Sequence, residues 1–417
     1  MTKFEVQCTL PPSAVTYVSA PNARGTLDIV WSCLGILLIC TWSILHLNVP
    51  LQTTPSRKRE KYLRGGFRVS NSIMWMLLNV LAPEWSLGKA WADYRAVCSV
   101  EADFNALKDE DGVPWTRMHT YLANLGGFTI KFEELTAPAP QPEGWVLDAN
   151  QLLLARQFGI IEKLPAILED DVSDRNKGDL FVKVIALSQV LWFVVQLIVR
   201  LSWRVPTSQL EIMTLAFAVC TAFTYILLLD KPKDVRYSVT VRAVRYATPQ
   251  ELIRLALAGP TMYAYSRRGI AIPNNAIHAD RNRSGERFNL ELLHGVTFSI
   301  AIFGAVHCVA WEFIFPNDIE QRLWQASSIV TAATIPTAFI LLALHQYVWR
   351  WFCFEKTFAG FVKSPRSVIS GNVIVFFFGI SFCIARLFIL VEVFRSLAFL
   401  PPEAFATTWA NVLPHIG

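Results

Sequence analysis

The segment Asn71–Trp91 places a carboxylate, Glu84, within a predominantly apolar stretch. An ionised side chain inside a membrane is energetically costly, so Glu84 is expected to face a cavity or a partner. Burial in apolar surroundings raises the pKa of a carboxyl group, and a carboxyl group that stays protonated can act as a general acid. The predicted chemistry is therefore proton donation to a bound substrate.

Proline and aromatic residues surround this acid in the sequence. Pro83 removes one helical hydrogen bond and is expected to bend a helix just before Glu84. Trp75 and Trp85 supply aromatic faces, which stabilise positive charge and exclude water. An alternative stays open, because the helix could equally end near Leu81 and leave Glu84 in contact with water or lipid headgroups.

Two further acids lie in apolar segments and are candidates for the same role: Glu312, beside Trp311, and Glu392. His307 is five residues from Glu312, about 140° around a helix, so the two side chains are not expected to form a dyad. Arg386 and Glu392 are six residues apart and also point in different directions. Each of these groups would therefore need a partner from another helix.

The composition is that of an integral membrane protein. Of the 417 residues, 53% are hydrophobic and only 17% are charged, which is not typical of soluble domains of this size. The 14 Trp and 28 Phe favour an aromatic lining of an internal cavity, although aromatic belts at the two membrane interfaces would also use many of them. The net charge of +5 lies in loops, which favours contact with the lipid bilayer and no nucleic-acid partner.

Hydropathy predicts an all-α integral membrane protein, a bundle of about seven transmembrane helices with a polar extramembrane insertion. A helix of roughly 20 apolar residues is needed to cross the hydrocarbon core. The predicted spans are Leu27–His46, Ser70–Trp91, Leu180–Val199, Leu210–Leu229, Leu292–Phe315, Ile329–Trp349 and Val368–Phe399.

These spans divide the chain into six parts. Within the polar part we expect helices over Asp93–Leu107 and Gln151–Phe158, and a packed turn or short strand over Trp115–Phe132. The six parts are a polar lead (1–26), the first two membrane helices (27–91), the polar insertion (92–179), a membrane hairpin (180–229), a basic surface segment (230–289) and three C-terminal membrane helices (290–417).

The basic connector 50–68 sets the expected orientation. Its excess of Lys and Arg predicts a cytosolic position, with the N-terminus in the lumen of the endoplasmic reticulum. If Ser70–Trp91 crosses the membrane fully, the insertion lies in the lumen. If Pro83 makes this segment re-entrant, the insertion stays in the cytosol.

Motifs for cofactor or metal chemistry do not occur in the sequence. We find no Walker A, GxGxxG, HExxH or GxSxG motif and no Asp-rich box that would hold a diphosphate through magnesium. The expectation is therefore a protein with no cofactor and no metal. The absence of a convincing internal repeat also disfavours a transporter built from two related halves.

Several segments together resemble a large family of fungal multi-spanning membrane proteins. They are RGTLDIVWSCLGILLICTWSILHLNVP, LAPEW after the basic connector, WTRMHTYLANLGGF, and LLLDKPKDV at the end of the hairpin. The likeness covers roughly residues 17–235, and the last third only through its hydropathy. Some members of that family resemble or are the membrane-bound terpene cyclases of meroterpenoid pathways, of the type that makes ascofuranone and ascochlorin-like compounds.

The resemblance implies a lipophilic prenylated substrate, a farnesylated aromatic polyketide whose terminal alkene has been epoxidised. It also implies a proton-initiated cyclisation or rearrangement. Asp28, His119 and Asn124 fall inside the family-like segments and join the candidates. The predicted catalytic residues are Glu84, Glu312, Glu392, Asp28 and His119, and the predicted substrate-binding residues are Trp85, Trp75, Trp311, Trp115, Tyr121 and Asn124.

Two other functions remain as alternatives. A non-catalytic membrane transporter or scaffold would use the intramembrane acids for proton coupling or helix pairing. Independently of the function, His119, with Trp115 and Tyr121 nearby, is either a packing residue or part of a cavity wall. A membrane enzyme of lipid metabolism is disfavoured, because histidine boxes and diphosphate motifs are missing from the sequence.

Overall fold

Long apolar runs form the main helices of this protein. The computed structural model describes residues 10–11, 16–20, 23–50, 58–132, 144–167, 177–260, 271–278, 290–352 and 365–408. Within these ranges the helices are α1 (Thr26–Ser43), α2 (Lys58–Leu81), α3 (Pro83–Asp111), α4 (Arg117–Asn124), α5 (Ala149–Gln157), α6 (Lys177–Ser202), α7 (Gln209–Leu227), α8 (Pro249–Ala258), α9 (Leu290–His307), α10 (Asp318–Phe352) and α11 (Pro365–Arg395).

Among the described residues, six helical segments are long and apolar enough to cross a membrane. A helix rises about 1.5 Å per residue, so about 20 residues match the hydrocarbon thickness of ~30 Å. The chain is therefore a multi-pass membrane protein, as its composition predicts. The six segments are Thr26–Ser43, Val184–Ser202, Gln209–Leu227, Leu290–Ala310, Asp318–Leu342 and Phe376–Phe399.

The sequence leaves two arrangements open around Pro83, a single bent helix or a helix that ends near Leu81, and the structure has the second. The apolar part before Pro83, Val69–Leu81, is shorter than the six membrane segments. Helix α2 ends at Leu81, Ala82 leaves the helical conformation (φ −138°, ψ 66°), and Pro83 opens α3. Proline is favourable at the first position of a helix, because its missing N–H has no helical acceptor there. The chain therefore breaks at this point and starts a new helix.

The chain divides into two compact units, and each is described separately. We name them the sheet unit and the helical unit. The sheet unit is Cys40–Ala186 with Thr221–Val296, and the helical unit is Met1–Ile39, Leu187–Cys220 and Thr297–Gly417.

The sheet unit contains three short strands, so the protein is mostly but not entirely helical. The strands are β1 (Phe128–Lys131), β2 (Trp145–Leu147) and β3 (Val239–Arg242), in the order β2-β1-β3. Strand β1 is antiparallel to β2 and parallel to β3. Trp115, Phe104 and Phe128 stack in the hydrophobic core beneath the strands.

This core corrects the predicted division of the chain. The polar insertion (92–179) and the basic segment (230–289) were expected to be separate parts, but β3 pairs with β1, and Leu255 of α8 is buried in the same core. Within the basic segment, α8 ends at Ala258, and residues 261–270 lie outside the described residues. Two distant segments therefore build one folded unit.

In the helical unit, arginines tie helix ends to loops. Arg24 donates to the Glu211 carboxylate in the first turn of α7 at 2.7 Å. Arg200, in the last turn of α6, donates to the carbonyl oxygens of Pro206 and Ala404, each at 2.6 Å. Helices α10 and α11 also pack against each other in this unit.

Candidate functional site

A half-open cleft lies in the sheet unit, beside the C-terminal ends of α1 and α7. Its volume is about 60 Å³, enough for a group of a few heavy atoms. The residues that line it are Ile44, Leu45, His46, Leu47, Trp75, Asn79, Trp85, Ser86, Lys89, Ala90, Asp93, Thr224, Leu228, Lys231 and Asn274.

Three of these lining residues form a buried charge cluster. Lys231 Nζ is 2.6 Å from Asp93 Oδ2, and Lys89 Nζ is 3.2 Å from each carboxylate oxygen of Asp93. Lys89 also donates to the carbonyl oxygen of Ala276 at 3.0 Å. Asp93 and Lys231 are only 2% and 5% exposed, so salt and water screen their charges poorly.

Local structure explains how each member is held. Lys89 and Asp93 are four residues apart on α3, so they lie on the same face of the helix. Lys231 lies four residues after Leu227, where α7 ends. Two residues later, Lys233 donates to the carbonyl oxygen of Trp42 in the last turn of α1 at 2.9 Å, which anchors this turn.

Burial and neighbouring charge shift the pKa values of this cluster. Burial alone would raise the pKa of Asp93, but the positive charges of Lys231 and Lys89 outweigh it and hold the pKa well below its usual range. Burial lowers the pKa of Lys89, and the Lys231 charge adds to this shift, while the Asp93 carboxylate opposes it. The net effect is a lowering of the pKa of Lys89, at a position that lines the cleft.

Trp75 and Trp85, both predicted to bind substrate, line this cleft. Trp75 comes from α2 and Trp85 from the first turn of α3, so the chain break at Ala82 brings the two rings to one wall. The Ser86 hydroxyl donates to Asn79 Oδ1 at 2.5 Å across the same break. The wall therefore presents aromatic surface with a small polar patch.

Glu84 is buried, at 3% exposure, but it does not line the cleft. It precedes Lys89 and Asp93 by five and nine residues, about 140° and 180° around α3. Gly88, which shares the face of Glu84, meets α9 so closely that an added Cβ would lie 2.3 Å from Val296 Cγ2. Glu84 therefore belongs to the side of α3 that packs against α9.

The predicted catalytic and substrate-binding residues of the helical unit do not share one site. Glu392 is buried, and its carboxylate lies 4.0 Å from the Arg395 guanidinium. Glu312 and Trp311 lie on the surface, contrary to the expected buried acid beside an aromatic ring. Asp28 is exposed, and its carboxylate accepts the Gly25 backbone N–H at 2.8 Å, which is a structural role at the start of α1.

His119 and Asn124, at the two ends of α4, also have structural contacts. His119 Nδ1 accepts the Thr116 backbone N–H at 3.1 Å, and its Nε2 lies 3.0 Å from the carbonyl oxygen of Ile167. Asn124 Oδ1 accepts the Ala149 backbone N–H at 3.0 Å, where α5 begins. These contacts favour the packing interpretation of His119.

Comparison with protein families matches residues 3–258 and 284–416 to a family of unknown function (DUF8562). The chain belongs to this family. No curated protein and no solved structure matches the chain.

In this DUF8562 member, sequence reasoning missed Lys89, Asp93 and Lys231. Two signals were present in the sequence: Lys89 and Asp93 have the four-residue spacing of a helical ion pair, and Lys231 follows an apolar span directly. The sequence does not show that the three side chains meet in the folded protein, because Asp93 and Lys231 are 138 residues apart in the chain.

The cleft combines a buried ammonium–carboxylate cluster with two tryptophan rings. Such a site can bind a polar group through Lys89 or Lys231, exchange a proton and stabilise a cation on the aromatic faces. Within the described ranges, no group of three or more His, Cys, Asp or Glu side chains is arranged to hold a metal ion.

Proposed function

We propose that this protein is a membrane-bound terpene cyclase that opens the terminal epoxide of a farnesylated aromatic substrate and directs its cyclisation without a metal. The resemblance of roughly residues 17–235 to the fungal family supports the reaction class. The observation that carries the proposal is the cleft, where Lys89, whose pKa is lowered by burial, lies with Trp75 and Trp85 at the ends of two membrane helices.

Lys89, rather than Glu84, is the proton donor in this proposal. The carboxylate of Asp93 neutralises the charge of one lysine. Lys231 Nζ is 2.6 Å from this carboxylate, whereas Lys89 Nζ is 3.2 Å from it. Lys89 is therefore the cation that the cluster can most easily discharge. A general acid is most effective when its pKa lies near the working pH, and burial moves the pKa of Lys89 in that direction.

The proposed reaction conserves all atoms of the substrate. As the epoxide C–O bond breaks, the Lys89 ammonium gives its proton to the epoxide oxygen, which becomes a hydroxyl group. The electron pair of a neighbouring alkene then forms the ring bond to the electron-deficient carbon, and Trp75 and Trp85 stabilise the migrating positive charge. The last carbocation returns a proton to the Lys89 amine, so the product is an isomer of the substrate.

The size and position of the cleft agree with a lipophilic substrate. A volume of about 60 Å³ accepts the epoxide end but not a whole farnesyl chain. The cleft lies beside Ile44 and Leu228, which directly follow the membrane segments of α1 and α7. The remaining prenyl chain can thus reach the cleft from the bilayer.

For the membrane arrangement, we propose a multi-pass protein of the endoplasmic reticulum. In this arrangement Ser70–Trp91, the second of the seven predicted spans, does not cross the membrane completely. The 13 residues of Val69–Leu81 extend about 20 Å at 1.5 Å per residue, short of the ~30 Å hydrocarbon core. The extramembrane insertion (92–179) then stays in the cytosol with the basic connector. An N-glycosylation acceptor inserted after Gly159 should remain unmodified, and its glycosylation would reverse the assignment.

The central test is an assay of membranes that contain the protein, with an epoxyfarnesyl aromatic substrate. Lys89→Arg keeps the positive charge but removes the group that can release a proton, because arginine stays protonated. We expect at least about a hundredfold loss of turnover, which is the lower limit for a general acid. Product formation at the wild-type rate by the Lys89→Arg protein would exclude Lys89 as the proton donor.

Glu84→Gln is the matched control for this experiment. Glu84 lies on the opposite side of α3, so we expect its amide variant to keep turnover within a few-fold of the wild type. A large loss in Glu84→Gln with normal turnover in Lys89→Arg would return the acid role to Glu84.

Proton-coupled transport is the second candidate function, because the same lysine cluster could take up and release a proton at a membrane boundary. Reconstituted vesicles with an imposed pH gradient separate the two functions. A cyclase converts the substrate without a gradient, whereas a transporter accumulates it unchanged and only with one.

A further inference from the structure

A second and larger hollow lies along α3 in the sheet unit. Its volume is about 310 Å³, in the range of small-molecule sites. Phe104 and Trp115 contribute to its apolar side, and their rings stack at 4.7 Å. We call this hollow the outer pocket.

Oxygen acceptors surround the apolar side of the outer pocket. Asp230 and Asn105 are exposed at its edge, and Thr116 lies beside them. Glu101 is held in place by Arg117, whose Nε and guanidinium Nη2 donate to its two carboxylate oxygens at 2.9 and 3.0 Å. Arg117 itself lines the pocket, and Glu101 engages its guanidinium. The carboxylate, amide and hydroxyl oxygens of Asp230, Asn105 and Thr116 can accept hydrogen bonds, so this pocket is suited to a ring with several hydroxyl donors.

A small buried cluster contributes residues to both hollows. Its members are Ala90, Val97, Tyr121 and Leu228. Ala90 and Leu228 line the cleft, while Val97 lines the outer pocket. The Tyr121 hydroxyl donates to the carbonyl oxygen of Leu227 at 2.9 Å.

The two hollows are aligned along one helix. Lys89 lines the cleft and Glu101 lines the outer pocket, 12 residues further along α3, which is about 18 Å at 1.5 Å per residue. This separation is comparable to the length of an extended farnesyl chain. The consecutive residues Asp230 and Lys231 also divide between the two hollows.

From this arrangement we propose that the outer pocket is a second ligand site, which binds the hydroxylated aromatic end of a long lipophilic substrate while its other end lies in the cleft. This inference rests on the proposed function for the identity of the long substrate. The ring chemistry itself follows from the acceptors around the outer pocket.

The test uses resorcinol, a water-soluble ring with two hydroxyl donors, and the detergent-solubilised full-length protein. Titration calorimetry should detect resorcinol binding to the wild type. The matched ligand, 1,3-dimethoxybenzene, has a similar ring without donors and should bind at least about tenfold more weakly. Equal binding of the two rings, or no binding of resorcinol, would overturn the proposal.

Protein variants locate the site. Asp230→Asn and Asn105→Leu each change an acceptor of the outer pocket and should weaken resorcinol binding about five- to tenfold. Asp109→Asn, an exposed change elsewhere on α3, should leave binding unaltered. Resorcinol affinities that do not distinguish the three variants would show that the rings bind elsewhere.

Lys89→Arg separates this inference from the cyclase proposal. The variant should bind resorcinol as the wild type does, because Lys89 lines the cleft and not the outer pocket. If Lys89→Arg keeps full turnover, the proton-donor assignment fails while the aromatic site stands. If turnover depends on Lys89 but resorcinol binding ignores Asp230 and Asn105, the aromatic site fails while the cyclase proposal stands.

Discussion

Each unit of this protein contains a buried cluster of two cations and one carboxylate. In the helical unit Arg24 and Arg200 accompany Glu211. In the sheet unit Lys89 and Lys231 accompany Asp93. The charge count is the same, but the residue types and their surroundings differ.

The arginine cluster is built to hold structure. Arginine cannot release its proton in a protein, and its planar fork binds several acceptors at once. Arg200 uses this fork on the carbonyl oxygens of Pro206, Ala404 and Ala406. Glu211 also accepts the backbone N–H and the hydroxyl of Ser208.

The lysine cluster contains a cation whose pKa is lowered by burial. Lysine shifts its pKa more readily than arginine, and Lys89 also lines a cleft. Both units therefore bury charge, but the two clusters differ in residue type and in the hollow beside the lysines. These two differences are the basis of the proposed proton transfer at Lys89.

The largest expected effect tests the structural cluster. Glu211→Gln leaves Arg24 and Arg200 buried without their carboxylate, and removal of one partner from a buried pair costs about 3–5 kcal/mol. We expect a corresponding loss in the free energy of unfolding, measured in detergent. The loss should be the same across pH 6 to 9, since the arginines keep their protons. A stability equal to that of the wild type would contradict the structural role.

Asp93→Asn should be less costly and should depend on pH. It leaves two buried lysines, but Lys89 can discharge, so we expect a loss of about 2 kcal/mol near pH 9 that grows as the pH falls. The sign follows because the unfolded lysine binds its proton at a higher pH than the folded one does, so acid favours the unfolded chain. Unfolding followed from about pH 9 to pH 6 measures this trend.

A pH-independent loss in Asp93→Asn as large as that in Glu211→Gln would remove the distinction between the two clusters. Asp109→Asn, on the exposed surface of α3, is the matched control for this change and should stay within about 0.5 kcal/mol of the wild type.

The smallest expected changes in stability distinguish Lys231 from Lys89. Lys231 Nζ lies 2.6 Å from Asp93, so Lys231→Met should destabilise the protein by about 2 kcal/mol. Lys89→Met removes the surplus cation, and we expect a change below about 1 kcal/mol. Thermal unfolding of the two variants at one pH makes the comparison. The reverse order would assign the surplus charge to Lys231.

Much of the membrane architecture could be predicted from the sequence. Apolar runs such as Leu27–His46 and Leu210–Leu229 contain helices at the expected places, because a membrane span depends mainly on local hydropathy. The helices expected over Asp93–Leu107 and Gln151–Phe158 appear as part of α3 and as α5, and the short strand expected within Trp115–Phe132 appears as β1. Helix α4 was not expected in that stretch. The tryptophans Trp75 and Trp85 were likewise predicted as a pair.

The site itself could not be predicted to the same extent. The sequence favours Glu84 as the acid, because it is a carboxylate next to proline and tryptophan. The direction in which Glu84 points is nevertheless determined by the contact of α3 with α9 through Gly88 and Gly295. The helix end at Leu81, which the sequence left open as an alternative to a bend, decides which residues share a wall with Trp75. The contact with α9 is not encoded by local pattern.

The sequence by itself determined a multi-pass membrane protein, the positions of its apolar helices and the presence of tryptophan beside ionisable groups. Only the tertiary structure decided that Lys231 meets Asp93 and Lys89, that β3 joins β1, and that Glu84 faces away from the cleft. The physical reason is the range of the forces. Hydropathy and helix periodicity act between near neighbours in the chain, whereas an ion cluster requires side chains far apart in sequence to share one desolvated space.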